Sequence, residues 1–369
     1  MPSKRQPEPP AAPRDKPPVL RTVHESKSYD RWITAAIREA KHGIGLTSPN
    51  PPVGAVLVKD SVMIGSGFHK KAGGPHAEIE ALRNAAAEGH DVRGATAYVT
   101  LEPCSTHGRT PPCTEALIAA GVSRVVYGAR DPNPKHAGAA DEVLKRAGIS
   151  VQSGVLKEEC EDLIRPFSKW VTTGLPYVIA KAAVTLDGRL TRPTGEPRWI
   201  SNEIAREHAM LLRIRADAIL IGAETLRRDN PQLTLRGENI PPGKVQPWRV
   251  VVTRSGEVPK DANLFQDQFK NRTLLLRGAY SFDTLLRELA KHEIQTVLLE
   301  GGGRLMAQAF AARAVDEVCW YVAPRVSGGG TPALGGENVP PLAQSVSLRS
   351  VTHRSLGDNV CIQGVPIWD

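Results

Sequence analysis

Short apolar runs alternate with amphipathic stretches along most of the chain, and this alternation predicts the order of elements. Tyr29 to Lys41 predicts a helix. Val53 to Val58 and Val62 to Gly67 predict a hairpin around Lys59-Asp60-Ser61, followed by a helix over Ala77 to Ala87 and a strand over Ala95 to Leu101. Pro112-Cys113 opens another helical run, Ala116 to Ala120, which stops at Gly121 before the strand Arg124 to Tyr127. The stretch Lys157 to Thr172 predicts one helix, and the breaker Gly174-Leu175-Pro176 after it marks a junction. A second series follows, with strands at Tyr177 to Val184, Ala218 to Ile221, Arg249 to Thr253, Thr273 to Leu276, Thr296 to Glu300 and Val318 to Ala323. Their apolar runs are short and continuous, as in a sheet covered on both faces. The expectation is an α/β chain in two parts.

Composition sharpens the division. A chain of 369 residues exceeds the usual single-core size, and 41% hydrophobic residues suffice for two cores. We therefore expect a tail over residues 1–27, one domain over 28–172 and a second over 173–369. Met1 to Pro18 is crowded with Pro, Lys, Arg and Glu and lacks the apolar core of a signal peptide, so it reads as a disordered extension. No run approaches the length of a membrane span. Five cysteines, with Cys160, Cys319 and Cys361 scattered, argue against a disulfide framework and for a reducing, cytoplasmic setting. The net charge of +8 suits an anionic ligand such as a phosphorylated nucleotide, and it also suits nucleic acid. Basic residues have few aromatic neighbours, so no stacking platform for nucleic acid is visible. Composition leaves the oligomeric state, including a homo-oligomer, open.

Candidate chemistry gathers at Pro75-His76-Ala77-Glu78, Glu102-Pro103-Cys104 and Pro112-Cys113. His76, Cys104 and Cys113 supply three soft ligands for a tetrahedral zinc, which leaves one position for water, while Glu78 is an acid-base group that need not touch the metal. Inside a helix, two residues separate by about 200°, so His76 and Glu78 share a pocket only at the helix entry, which Pro75 marks. Cys113 at a helix N-terminus is favoured as thiolate. A purely structural zinc is the competing reading; it needs a fourth ligand, for which His107 is the nearby candidate. In the second half, Leu298-Leu299-Glu300-Gly301-Gly302-Gly303-Arg304-Leu305 carries a strand through a glycine turn into a helix, a geometry that lets backbone N–H groups approach phosphate or serves only as a turn.

At these residues the chain resembles a known family. Thr47-Ser48-Pro49-Asn50-Pro51-Pro52-Val53-Gly54, Pro75-His76-Ala77-Glu78 and Thr100 to Cys113, with eight residues between the two cysteines, resemble the bifunctional riboflavin-biosynthesis deaminase/reductase family. Asp131-Pro132-Asn133-Pro134 adds a match, loosened after it at His136 and Ala140. Lys181 to Arg189, Gly195 to Ile200, Ala223 to Pro231 and Glu300-Gly301-Gly302 are similar to its reductase part.

The resemblance implies a cytidine-deaminase-like domain followed by a dihydrofolate-reductase-like domain, zinc and NADPH as cofactors, and phosphorylated pyrimidines as small-molecule substrates. It implies that Asn50 and His69 hold the pyrimidine in the first site. In the second, Ala183, Trp199, Thr225, Asp229 and the segment Gly302, Gly303, Arg304, Leu305, Met306, Ala307 and Gln308 would line the NADPH site, with Asp229 also catalytic. Lys181, Arg213, Leu233, Arg236 and Glu300 would face the ribosyl phosphate substrate, for which guanidinium forks are suited. His69 reads equally as a surface residue, and the arginines as solvated charges.

Three positions depart from the family pattern. Asn230 stands where a second aspartate is usual, Pro197 where a serine is common, and Arg254 where a serine contacts cofactor. Two other readings stay open: a deaminase of tRNA or free bases with an inert second half, and a zinc-stabilised binding protein. The long insert between the cysteines argues against the first, and intact Glu78 and Asp229 against the second.

Overall fold

Two β-sheets with helices on their faces build the computed structural model, which describes residues 23–106, 111–134, 136–191, 199–336 and 341–368. The first half runs α1 (Val23–Lys41), β1 (Gly54–Lys59), β2 (Val62–Phe68), α2 (Ala77–Ala87), β3 (Thr96–Leu101), α3 (Cys113–Ala119), β4 (Arg124–Ala129), α4 (Ala139–Arg146), β5 (Ser150–Gln152), α5 (Lys157–Leu163) and α6 (Arg165–Thr173). Its strands lie in the order β2-β1-β3-β4-β5, antiparallel around β1 and parallel from β3 to β5. The two-residue period of β1 explains the layering: Ala55 and Leu57 pack with Ala77, Ala81 and Ala85 of α2, whereas Val56 and Val58 pack with Trp32, Ile33 and Ala36 of α1. The hairpin closes at Asp60 and Ser61, both at positive φ (50° and 62°), the backbone that a two-residue turn between twisted strands requires.

The second half runs β6 (Tyr177–Thr185), α7 (Glu203–Arg215), β7 (Ala218–Gly222), α8 (Ala223–Asp229), β8 (Trp248–Thr253), α9 (Asn263–Gln266), β9 (Thr273–Arg277), α10 (Phe282–Ala290), β10 (Thr296–Leu299), α11 (Gly303–Ala311), β11 (Glu317–Ala323), β12 (Leu348–Leu356) and β13 (Asn359–Pro366). Eight strands lie in the order β12-β13-β11-β6-β10-β7-β8-β9, parallel except for the β11-β13-β12 edge. Again alternate residues serve opposite faces. Val178 and Ala180 join the core under α10 and α11, while Tyr177 and Ile179 pack with Ala205 and Leu212 of α7.

Three features differ from the sequence expectations. Helix α1 starts at Val23, inside the stretch expected as tail; residues 1–22 lie outside the described residues. The single helix expected over Lys157 to Thr172 is two, parted at Ile164, because Pro166 lacks an N–H and fits only the first turn of a new helix. Strands β5, β12 and β13 were not anticipated; β12 is almost wholly exposed, so its residues carry no apolar alternation. No described helix is long and apolar enough to cross a membrane.

Candidate active sites

His76 is the N-cap of α2 and Glu78 its second residue, so both point from the irregular helix entry into one pocket. Cys104 follows β3, and Cys113 is the first residue of α3 with Pro112 as its cap. The His76 Nδ1 and the Cys104 and Cys113 Sγ atoms lie within 4.8 Å of one another, with Nδ1 3.5 Å from one sulfur and 3.2 Å from the other. A tetrahedral zinc with bonds of 2.0–2.3 Å spaces its ligands at roughly 3.6 Å, so the donor set and its spacing fit that ion. This is the one such cluster among the described residues, and His107 lies outside them.

Charge in this pocket is divided unevenly. A hydrogen bond from the Cys113 thiol draws Cys104 down to about 4, and the same bond, together with burial, pushes Cys113 up. The Cys104 sulfur also accepts the Cys113 backbone N–H at 3.2 Å, and a bound zinc would hold both sulfurs as thiolates. Glu78 is 4% exposed, and burial, followed by the Cys104 charge, pushes its carboxyl up to about 7. A carboxyl poised there can both take and give a proton near neutral pH.

Asn50 and His69 meet beside this cluster. His69 is buried, not a surface residue; its Nδ1 donates to Pro75 O (2.9 Å), which leaves Nε2 to accept from Asn50 Nδ2 at 3.0 Å. Burial lowers the His69 pKa, in keeping with that neutral tautomer. The Asn50 amide is thereby oriented, with Oδ1 left as an acceptor. The His69 ring stands edge-on to His76, 5.2 Å between centroids.

A second cluster forms where β6, α7 and β10 converge. Arg213 grips Glu300 with two parallel bonds, Nε to Oε1 at 2.8 Å and Nη2 to Oε2 at 3.0 Å, and Lys181 Nζ lies 3.7 Å from the same carboxylate. Burial would raise Glu300, but Arg213 and then Lys181 outweigh it and bring the carboxyl down to about 2, with Arg236 adding to the pull. Arg213 also donates Nη1 to Thr234 O at 3.2 Å. Much of its fork is thus committed inside the protein, whereas Arg236 is exposed.

Several residues expected at the NADPH or substrate face are placed differently. Met306 is fully buried in the core and its N–H serves Gly302 O, so neither its side chain nor its amide is free for a dinucleotide. The Leu233 side chain packs with Ile219, Ile221 and Leu226, which leaves only its backbone, at φ 51°, to meet a ligand. Gly303 answers a packing need: a Cβ there would lie 2.2 Å from Pro332 O. Leu305 leans on the same core as Met306, and Ala307 lines a separate cavity of about 280 Å³ with Pro332 and Leu342.

Of the other expected residues, Gly302 and Thr225 come together. Gly302 caps α11 without a side-chain hydrogen bond and faces the Thr225 hydroxyl, 3.5 Å from where its Cβ would be. That helix N-terminus, at the carboxyl end of β10, fits the pyrophosphate of a dinucleotide. Arg304 and Gln308 are exposed on α11, Ala183 is half-buried in β6, and exposed Trp199 has the Arg206 guanidinium 5.2 Å over its ring. Asp229 ends α8, half-buried, and Asn230 caps that helix at φ 38°, where asparagine is at ease; its Oδ1 accepts the Asn263 N–H. Arg254 is exposed just after β8, and Pro197 lies outside the described residues.

The sequence did not disclose the work of Glu102. Buried beside Cys104, its carboxylate accepts N–H bonds from Asp131 (3.3 Å), Gly138 (3.0 Å) and Ala140 (3.2 Å), which ties the Asp131-Pro132-Asn133-Pro134 loop to the metal-ligand segment. An acidic residue just before Pro103-Cys104 was the available signal.

Comparison with known proteins matches the two halves of the chain to two domain families. Residues 26–129 match the family model for the cytidine and deoxycytidylate deaminase zinc-binding region, and residues 176–362 match that for the RibD C-terminal domain. The chain is 38% identical over 362 residues to the riboflavin biosynthesis protein RibD of Escherichia coli strain K12, covering 90% of this chain and 97% of that one. It is 37% identical over 364 residues to RibD of Actinobacillus pleuropneumoniae, covering 91% and 95%. Among solved structures, Acinetobacter baumannii RibD superposes with a TM-score of 0.83 at 37% identity, over 93% of this chain and all of that one. A Thermotoga maritima diaminohydroxyphosphoribosylaminopyrimidine deaminase/5-amino-6-(5-phosphoribosylamino)uracil reductase does so at 0.82 and 35%, with the same coverage.

Proposed function

The chain belongs to the RibD family of riboflavin-biosynthesis proteins and is accordingly a zinc-dependent deaminase joined to an NADPH-dependent reductase; on that premise we propose how its residues divide the two reactions. The first substrate is 2,5-diamino-6-ribosylamino-4(3H)-pyrimidinone 5′-phosphate, whose ring amine is replaced by oxygen from water with release of ammonia. The second reaction reduces the ribosyl group of the resulting 5-amino-6-ribosylaminouracil 5′-phosphate to ribityl.

In the deaminase, His76, Cys104 and Cys113 would hold zinc, which when bound would supply a water acidic enough to attack at neutral pH. Glu78 would take a proton from the attacking water and return it to the leaving amine, a task for which a carboxyl near 7 is matched. Asn50 Oδ1 accepts from the pyrimidine, and His69 keeps the Asn50 amide from rotating. In the reductase, NADPH supplies the hydride. Gly302 and Thr225 would border its phosphates, Asp229 would be the acid that acts on the substrate, and Lys181, Arg213 and Arg236 would make the Glu300 corner cationic enough to draw in a phosphate.

The observation that carries this reading is buried Glu78 inside the His-Cys-Cys ligand set. We assign the two activities to residues 28–172 and 173–369, and place the protein in the cytoplasm, acting on small molecules and on neither nucleic acid nor membrane. The test is product analysis with the diaminopyrimidine phosphate. Without NADPH the deaminated ribosylaminouracil should accumulate; with NADPH the ribityl product should replace it. Full-length, folded protein that deaminates but never oxidises NADPH would leave a deaminase with an inert second half.

A further inference from the structure

We infer that the second half of the chain clamps the substrate loop of the deaminase, with Gln295 as the positioning residue for Asn50. The inference rests on Asn50 holding the pyrimidine. The loop between α1 and β1 is held at three points by groups that lie far away in sequence. Lys244 Nζ donates to Gly45 O at 2.6 Å, the Ser48 side chain bonds the Asp217 carboxylate, and Gln295 Nε2 donates to Pro49 O at 2.8 Å. The next residue is Asn50.

The anchors are themselves cross-linked. Asp217 Oδ2 accepts the N–H groups of Gln295 (3.0 Å) and Thr296 (2.9 Å), and Asp217 N donates to Thr296 O. Gln295 is 3% exposed with the loop seated, so its bond to Pro49 O is shielded from competing water. Close approach is built in at Gly45, where φ is +79° and a Cβ would sit 2.1 Å from Ile214 O. Thr47, Ser48, Asn50, Asp217 and Gln295 all border a cleft of about 660 Å³ between the halves.

From the clamp the contacts continue into the catalytic pocket. Asn50 N–H closes a turn onto Thr47 O at 2.7 Å, its side chain meets His69, and His69 holds Pro75 O, the carbonyl next to the ligand His76. Gln295 thus acts through Pro49 on the residue assigned to the pyrimidine, without touching the substrate or the zinc ligands.

The experiment measures both reactions, zinc content and amide exchange in full-length variants. Gln295→Met, which keeps side-chain length but removes the donor, should raise the deaminase KM about three- to tenfold with little change in kcat. Zinc content and the reduction of the deaminated substrate should stay as in the parent, while amide exchange over residues 43–50 should quicken. Asn50→Ala should raise KM by itself, and adding Gln295→Met to it should raise KM no further, because the second residue works through the first. Lys244→Met supplies the same test from another anchor should Gln295→Met fold poorly. An unchanged deaminase KM in both clamp variants, or additive effects in the double variant, would overturn the clamp. An unchanged KM in Asn50→Ala would overturn the role of Asn50 itself, and the clamp's link to substrate with it.

Discussion

Gln295 and Glu300 bracket β10: the amide that reaches Pro49 of the deaminase half and the carboxylate gripped by Arg213 are the two ends of one buried strand. Five residues of strand span about 17 Å. The deaminase loop therefore docks on the amino edge of the parallel strands, while the reductase cluster occupies the carboxyl edge, where α/β sheets bind their ligands. The same strand that supports one substrate loop ends in the other site.

Glu78 and Cys104 should separate under mutation. Glu78→Gln keeps the ligand set and removes the proton carrier, so zinc should remain while deamination falls by about 10²- to 10⁴-fold. Cys104→Ser should lose zinc as well as activity. Metal analysis showing that Glu78→Gln loses zinc in step with Cys104→Ser would contradict the role given to Glu78.

Glu300 should make stability depend on acid pH. Its folded carboxyl is held at about 2, below the usual 4.5, by Arg213 and Lys181. A depressed carboxylate contributes stability above its unfolded value and loses it as pH falls through the folded one. The contribution, on the order of 3 kcal/mol, should be complete above pH 4.5 and vanish toward pH 2. Urea unfolding of the parent and Glu300→Gln across that window checks this; curves that stay parallel down to pH 2 would speak against it.

Arg249 supports the fold and not the chemistry. Its side chain is 1% exposed, forks onto Asp267, and donates to Leu264 O at 2.9 Å and Thr273 Oγ1 at 2.8 Å. Arg249→Met would strand these acceptors, at a cost of about 3 kcal/mol. Denaturant midpoints should fall accordingly, with both KM values kept at temperatures where the variant is folded.

How much was legible depends on how local the signal was. The inner strands announced themselves as continuous apolar runs, and the zinc ligands could be assembled from sequence because His76 and Cys113 both open helices. Strand β12 escaped because an exposed edge needs no apolar alternation. The clamp escaped because its hydrogen bonds join residues 199 and 246 positions apart, so no window of sequence contains both partners. Met306 differs for another reason: a motif counts residues along a helix, whereas α11 turns positions three and four apart, Gly303, Met306, Ala307 and Phe310, toward the core.

Arg213 and Arg236 should prove unequal although both were expected to meet phosphate. Arg213 is committed to Glu300 and to Thr234 O, so Arg213→Ala should lower thermal stability together with reductase activity. Arg236 is exposed, and its Nη1 donates to Gln232 Oε1 at 3.2 Å. Arg236→Ala should therefore leave the melting temperature and the KM for NADPH unchanged. It should raise the KM for the ribosylaminouracil phosphate by roughly tenfold or more, the worth of a charge-assisted hydrogen bond. With the dephosphorylated nucleoside as substrate the parent and Arg236→Ala should become equal, since the contact that distinguishes them is gone. A tenfold gap that persists without the phosphate would place Arg236 on another part of the substrate.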